Sequence, residues 1–326
     1  MLTDLAPATT GRAHAAPPAV IAPAMQLPVP ADGTSLNEVV TIAGHARRLL
    51  PAEIHDALVD FADAPDRSGA MVLRGLPVGD VPATPPTPTA PTAKDLTSEM
   101  TLLAVARSLG QPVGYLPEHG GDLVQNIVPT RANATRQIST SSAVTLMFHT
   151  EAAFHPYRPR YLLLLCLRGD PQAATTLSSI HEVHHLLGAT TWATLFEPRF
   201  RTAVDESYLN GRVGELGPAR PVLTGDRELP SMVFDADLMH GTDPVADAAL
   251  RALADATAAC NTSVVLEAGD LLVVDNSVAV HGRSPFTPRF DGTDRWLQRA
   301  FVVADLVPSA ADRRGRVIVT QFGRAA

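Results

Sequence analysis

A mainly β fold with flanking helices is what this sequence predicts, and three observations lead there. From about Leu123 onward, short β-branched or leucine-rich runs alternate with turn residues. Upstream of them, apolar residues recur at helical rather than strand spacing. The 326 residues are 45% hydrophobic and 18% charged, enough apolar surface to bury a large core. Many short strands with turn punctuation read as a sandwich or barrel, here decorated with helices.

Residues 1–34 are rich in Ala, Pro and Thr and have no apolar period. Such a segment buries too little to offset its ordering entropy, so a disordered or loosely draped extension is expected. Residues 35–326 read as a single domain. A helical pattern runs from Leu36 through Ala64, with Ser35 and Asn37 as candidate caps and a break near Pro51. Ala70–Pro77 reads as a strand entering a turn. Five prolines between Val81 and Thr92 mark an extended surface connection, since the pieces on either side are too small to stand alone. Lys94–Leu109 reads as a helix. Strands are then expected at Thr145–Phe148, Tyr161–Arg168, Ala174–Ser179, Ser263–Leu266, Asp270–Asp275 and Trp296–Val303, interrupted by helical inserts around Ile180–Glu197 and Asp243–Cys260. The glycine-bearing stretch from Tyr208 to Arg220 reads either as an exposed connection or as a lid over a pocket.

Charge and cysteine content narrow the partners. Lys plus Arg minus Asp plus Glu is 26 − 34 = −8, and Lys94 is the one lysine among the 26 basic residues. That balance disfavours nucleic acid and anionic membranes, because nothing offsets phosphate charge. Cys166 and Cys260 are too few for a disulfide framework or a thiolate zinc site, and Cys166 reads as a buried, inert thiol. The apolar run Tyr161–Leu167 is far short of the roughly 20 residues that span a bilayer. The N-terminus lacks a basic region followed by an apolar stretch. The expectation is a soluble, cytoplasmic protein with a small-molecule partner; no region proposes a protein partner.

Three segments carry candidate chemistry. In Phe148-His149-Thr150-Glu151, a strand would turn His149 and Glu151 to one face. One imidazole and one carboxylate are two-thirds of the facial triad that holds non-haem Fe(II), although a half-buried strand with a satisfied histidine looks the same. Far downstream, an apolar strand, a turn at Asp275-Asn276 and a second strand bring His281 inward, as a third ligand or a core histidine. In Arg295–Val303, Arg295, Leu297, Arg299, Phe301 and Val303 share a strand face. Two arginines on an apolar face are costly unless each meets an anion, whether an internal Asp or Glu or a bound carboxylate.

Taken together, a His-x-Glu segment, a distant histidine and a later arginine in this chain order resemble the Fe(II)/2-oxoglutarate oxygenases. The closer resemblance is to the clavaminate synthase-like branch, which includes asparagine oxygenase and arginine and lysine hydroxylases. It is carried by Val72–Pro77, Phe148–His155, Tyr161–Arg168, Gly269–Asn276 and above all His281–Arg299, and covers residue 36 to the C-terminus.

The resemblance implies a double-stranded β-helix, or jelly-roll, core. It implies His149, Glu151 and His281 as iron ligands, Fe(II) and O2 as cofactors, and 2-oxoglutarate as co-substrate. Arg295 would clamp the far carboxylate of 2-oxoglutarate beside Thr176, with Thr175 as the fallback. Arg299 would hold the α-carboxylate of an amino-acid substrate, Glu151 its amine, and Ser139 and Gln125 lie where related enzymes contact the head group. The presence of Glu151 counts against a halogenase, which replaces that carboxylate by a small residue. Phe234-Asp235-Ala-Asp237 falls where related arginine hydroxylases bind guanidinium, and two acids beside one pocket favour a cationic tail. A free L-arginine or L-lysine, hydroxylated at Cβ or Cγ, is therefore expected. L-Asparagine is the rival, since Arg160 and Phe154-His155-Pro156 fit the asparagine-type pattern. A substrate tethered to a carrier protein would suit the same head-group residues. A cupin-like small-molecule binding protein without 2-oxoglutarate is the non-oxygenase reading.

Overall fold

Every strand-length run expected from Ala70 onward forms a strand in the computed structural model, which describes residues 16–31, 33–63, 68–89, 91, 94–209 and 212–324. In chain order the first half contributes β1 (Ala19–Ile21), α1 (Leu36–Ala46), α2 (Ala52–Asp63), β2 (Ala70–Arg74), α3 (Thr97–Leu109), β3 (Gln111–Tyr115) and β4 (Gln125–Ile127). The middle contributes β5 (Leu146–His149), β6 (Tyr161–Arg168), β7 (Thr175–Ser179), α4 (Ile180–Val183), α5 (Ala189–Leu195), β8 (Phe200–Thr202) and α6 (Glu206–Leu209). Three short strands follow, β9 (Leu223–Gly225), β10 (Pro230–Met232) and β11 (Met239–Gly241), and then α7 (Pro244–Ala259). The chain ends with β12 (Thr262–Val264), β13 (Leu271–Asp275), β14 (Ala279–Arg283), β15 (Trp296–Val303), β16 (Arg313–Arg314) and β17 (Val317–Ile318).

Local chemistry accounts for the boundaries. Ser35 caps α1 in a reciprocal capping box with Glu38, and Pro51 separates α1 from α2 as its missing N–H predicts. Asp243 caps α7, with Pro244 in the first turn. The insert expected around Ile180–Glu197 is not one helix. It is α4, a tight turn through His184–Leu186, and α5. The N-terminal extension also differs from expectation in its described part. Ala19–Ile21 pairs in parallel with β2, and Val20, Ala22, Met25 and Leu27 pack on the core. Four apolar contacts and an edge ladder suffice to place a segment that has no internal period. Residues 1–15 lie outside the described residues.

Two larger sheets organise the molecule, one ordered β1-β2-β13-β6-β15-β3-β17-β16 with β4 also on β15, the other β12-β7-β14-β5. β6 lies between β13 and β15, which explains its continuous apolar run: both faces are buried. Leu163, Leu165 and Leu167 face the α1–α3 layer, and Leu162, Leu164 and Cys166 face Leu177, Val264 and Ala279 of the smaller sheet. A third apolar cluster packs α5 and α7 around Val278 and Val280. The smaller sheet thus lies between the large sheet and a helical layer, an arrangement that aims the ends of β5, β7, β14 and β15 into one cavity. No helix among the described residues is long and apolar enough to cross a membrane.

Candidate active site

A cavity of about 320 Å³ opens between the two sheets and is lined by His149, Glu151, His281, Arg295 and Arg299 among others. His149 and His281 are register partners across the β5–β14 pairing, with ring centroids 4.3 Å apart. Glu151 arrives differently from the strand alternation expected. β5 ends at His149, and Glu151 stands in the following turn, where Ala152 takes a φ of 51°. Asn276, from the predicted turn, holds that backbone in place. Its Oδ1 accepts from the Glu151 N–H at 2.7 Å and its Nδ2 donates to the Glu151 and Pro159 carbonyls.

One donor atom from each of His149, Glu151 and His281 lies within 4.8 Å of the others. His149 Nδ1 sits 2.8 Å from the Met147 carbonyl, to which it donates, and this fixes the ring with Nε2 on its other side. Burial, reinforced by His149, pushes His281 down to about 4, so its imidazole is neutral at pH 7. Burial works to raise the Glu151 carboxyl, but Arg299, His281 and His149 outweigh it and hold the group at about 2. Two imidazoles and one carboxylate on one side of a cavity fit a divalent ion of the non-haem iron type, with positions left open toward the cavity.

Two arginines stand beyond this cluster in different states. Arg295 is 6% exposed, and among the described residues its Nη2 donates to Thr175 Oγ1 at 3.3 Å. Among the described residues no carboxylate lies within ion-pair distance of it, and Asp170 acts on it only electrostatically. Arg283, also in the cavity wall, is pushed down to about 10 by burial and by Arg295, so the pair creates a strongly positive recess. Thr175, not the expected Thr176, lines the cavity. Alternation along β7 turns Thr176 to the other face, where its hydroxyl crowds Gly282.

Arg299, in contrast, has internal partners. Its Nη2 donates to Glu118 Oε1 at 2.7 Å and to Gln125 Oε1 at 2.6 Å, and its Nε donates to the same Gln125 oxygen at 2.9 Å. Nη1 has only a long 3.5 Å contact with Glu151. Gln125 therefore braces the guanidinium and does not line the cavity, unlike the direct contact expected of it. Ser139, Asp235 and Asp237 all line it. Asp235 is pinned beside His149 by a β-bridge, and its Oδ1 accepts from the Asp237 and Leu238 N–H groups. Burial raises the Asp235 carboxyl against the opposing pull of His149. Arg160 does not line the cavity; it pairs with Asp275 at 2.7 Å and Ser277 at 2.6 Å. His155 is buried in an aromatic cluster, and its neighbour Phe154 reaches the cavity wall.

Sequence reasoning missed Glu118, Asp205 and Ser207, which also line the cavity. Glu118 stands in a loop and Asp205 and Ser207 at the start of α6, and only tertiary contact distinguishes them from solvated polar residues. Of the described part of the expected lid, Tyr208–Arg220, only Tyr208 reaches the cavity; Asn210 and Gly211 lie outside the described residues. Cys166 is buried as expected, and burial pushes its thiol up to about 12.

Comparison with known proteins agrees with this geometry. The family model of taurine catabolism dioxygenase TauD, TfdA family, matches residues 50–301. The chain is 42% identical over 284 residues to an L-asparagine oxygenase of Streptomyces coelicolor, covering 85% of this chain and 83% of that one. It is 40% identical over 280 residues to an L-lysine 3-hydroxylase of Catenulispora acidiphila, covering 84% and 78%. A solved asparagine oxygenase in complex with Fe(II), 2S,3S-3-hydroxyasparagine and succinate superposes with a TM-score of 0.81 at 39% identity, covering 86% of this chain and 89% of that one. Matched over most of its length in sequence and in structure, this chain belongs to the TauD, TfdA family of dioxygenases.

Proposed function

We propose that this chain is an Fe(II)/2-oxoglutarate-dependent hydroxylase of a free basic L-amino acid, L-arginine or L-lysine, acting at Cβ or Cγ. The observation that carries the reading is Arg295, a buried guanidinium with no carboxylate in ion-pair contact among the described residues, in the same cavity as a His-Glu-His cluster. A buried charge left so needs an anion, and a dicarboxylate co-substrate is one. A plain metal-binding jelly-roll has no reason to bury it. The two facing sheets and their shared core support the double-stranded β-helix implied by the sequence.

His149, Glu151 and His281 hold the iron in this reading. Fe(II) bound there supplies the O2 chemistry in which 2-oxoglutarate is oxidatively decarboxylated to succinate and CO2 while the amino acid gains a hydroxyl. Arg295, with Thr175 beside it, grips the far carboxylate of 2-oxoglutarate and fixes the co-substrate against the metal cluster. Arg299 offers its weakly engaged Nη1 to the substrate α-carboxylate. Glu118 and Glu151, both within reach of Arg299, place carboxylate oxygens where the α-ammonium of the same head group can donate to them. The side chain then points toward Asp205, Asp235 and Asp237, and Ser139 borders the same space. These three carboxylates repel one another unless a cation joins them, and a basic side chain supplies one.

L-Asparagine is the competing substrate, favoured by the similarity to an L-asparagine oxygenase. The test is succinate release with Fe(II), ascorbate and each of the twenty amino acids, together with the product's mass. Arginine or lysine should give the fastest turnover and gain one oxygen atom, and His149→Ala should abolish it. A strong preference for asparagine defeats the cationic-tail reading. Succinate release that no amino acid stimulates defeats the hydroxylase itself.

A further inference from the structure

Tyr208 begins the stretch read from the sequence as a connection or lid, and it reaches the cavity wall from α6. The residue is 3% exposed, yet its hydroxyl has no hydrogen-bond partner among the described residues. That sets it apart from the tyrosines around it. Tyr115 Oη donates to the Tyr157 carbonyl at 2.6 Å, and Tyr157 Oη donates to Asp312 Oδ2 at 2.7 Å. A buried hydroxyl without a partner is costly, and such atoms are rare unless something else meets them.

The ring cannot easily turn the hydroxyl elsewhere. It packs edge-on to Phe154 with centroids 4.9 Å apart, and lies 6.0 Å from Tyr115 and 6.3 Å from Phe322. We propose that the Tyr208 hydroxyl is a substrate-binding group, donating a hydrogen bond to the α-carboxylate that Arg299 holds. Burial raises its ionisation well above the ordinary tyrosine range, with Glu118, Tyr115 and Glu151 adding to the rise and Arg299 opposing it, so the group keeps its proton near the head-group end of the cavity. A neutral donor suits this place. It adds to carboxylate recognition without adding a second cation to Arg299, and a fixed ring brings it there with little ordering cost. The inference rests on the amino-acid reading above and extends it to a residue on the α6 side of the cavity.

Tyr208→Phe is the direct test, because it removes the hydroxyl and keeps the ring packing. Anaerobic calorimetry on the Fe(II)- and 2-oxoglutarate-loaded protein is run with L-arginine, L-lysine and L-asparagine in turn, using whichever wild type binds most tightly. The variant should bind that amino acid about 10- to 100-fold more weakly, the range for a hydrogen bond to a charged group. Its 2-oxoglutarate affinity and thermal midpoint should match wild type, and steady-state KM should rise for the amino acid alone. Amino-acid binding within twofold of wild type overturns the proposal. So does an equal loss for 2-oxoglutarate, which would mark a general packing defect. Wild type that binds none of the three defeats the amino-acid reading itself, and the Tyr208 assignment with it.

Discussion

Arg295 and Arg299 lie on one face of β15 and its approach, four residues apart, and their surroundings divide their roles. Arg299 is braced by Gln125 and Glu118 inside the protein, whereas among the described residues Arg295 hydrogen-bonds the Thr175 hydroxyl alone. Arg295→Ala should therefore raise KM for 2-oxoglutarate about 30-fold or more and leave amino-acid KM nearly unchanged, in line with roughly 2–5 kcal/mol for a buried charged pair. Arg299→Ala should do the reverse, and crossed effects in initial-rate measurements would show the two assignments interchanged. The arginines were legible because charge on an apolar strand face is conspicuous. Between Thr176 and its fallback Thr175 the sequence left the choice open, because neighbouring strand residues face opposite sides and which side meets the cavity is set by the packing of β7. Gln125, expected at the substrate head group, stands behind Arg299 and accepts from its guanidinium, a pairing that no local signal in the sequence announces.

At the level of elements, the metal cluster depends on how closely β14 approaches β5. Gly282, between His281 and Arg283, lies where the register shifts. A Cβ there would come within 2.5 Å of the Leu146 carbonyl and 2.9 Å of Thr176 Oγ1. Backbone cannot give way cheaply, so Gly282→Ala should push the strands apart and separate the two imidazoles. Affinity for Fe(II) or Mn(II) should fall about tenfold or more, comparable with the loss of a supporting contact around a metal ligand. Unchanged metal affinity by equilibrium dialysis would refute the close-approach argument. The strands themselves were readable from apolar runs and turns. Glu151 was read onto the same strand as His149, but the chain turns after His149 because Asn276 captures the next backbone groups.

For the molecule as a whole, buried histidines set the acid limit of stability. Burial first, and then Arg158, pushes His155 down to about 3, and its Nδ1 accepts the Tyr157 N–H at 2.9 Å, which protonation would break. His281 and His119 are each pushed down to about 4, chiefly by burial. The native state keeps these rings neutral where the unfolded chain binds protons, below about 6.5. Stability is therefore lost as pH falls through the window from about 6.5 to 4, by up to about 1.4 kcal/mol per pH unit for each ring. Urea denaturation at pH 7 and pH 4.5 should show that loss, and His155→Gln should flatten it; a parallel slope in the variant would remove His155 from the account. By itself the sequence determined most of the strands and helices and singled out imidazoles, carboxylates and guanidinium groups that line the cavity, because periodicity and unusual charge placement are local signals. Only the tertiary structure decided that Glu118, Asp205 and Tyr208 join the site, that Thr175 faces Arg295, and that Ala19–Ile21 adds an edge strand. Those outcomes depend on which remote surfaces meet and on strand register, and neither is written in the neighbouring residues.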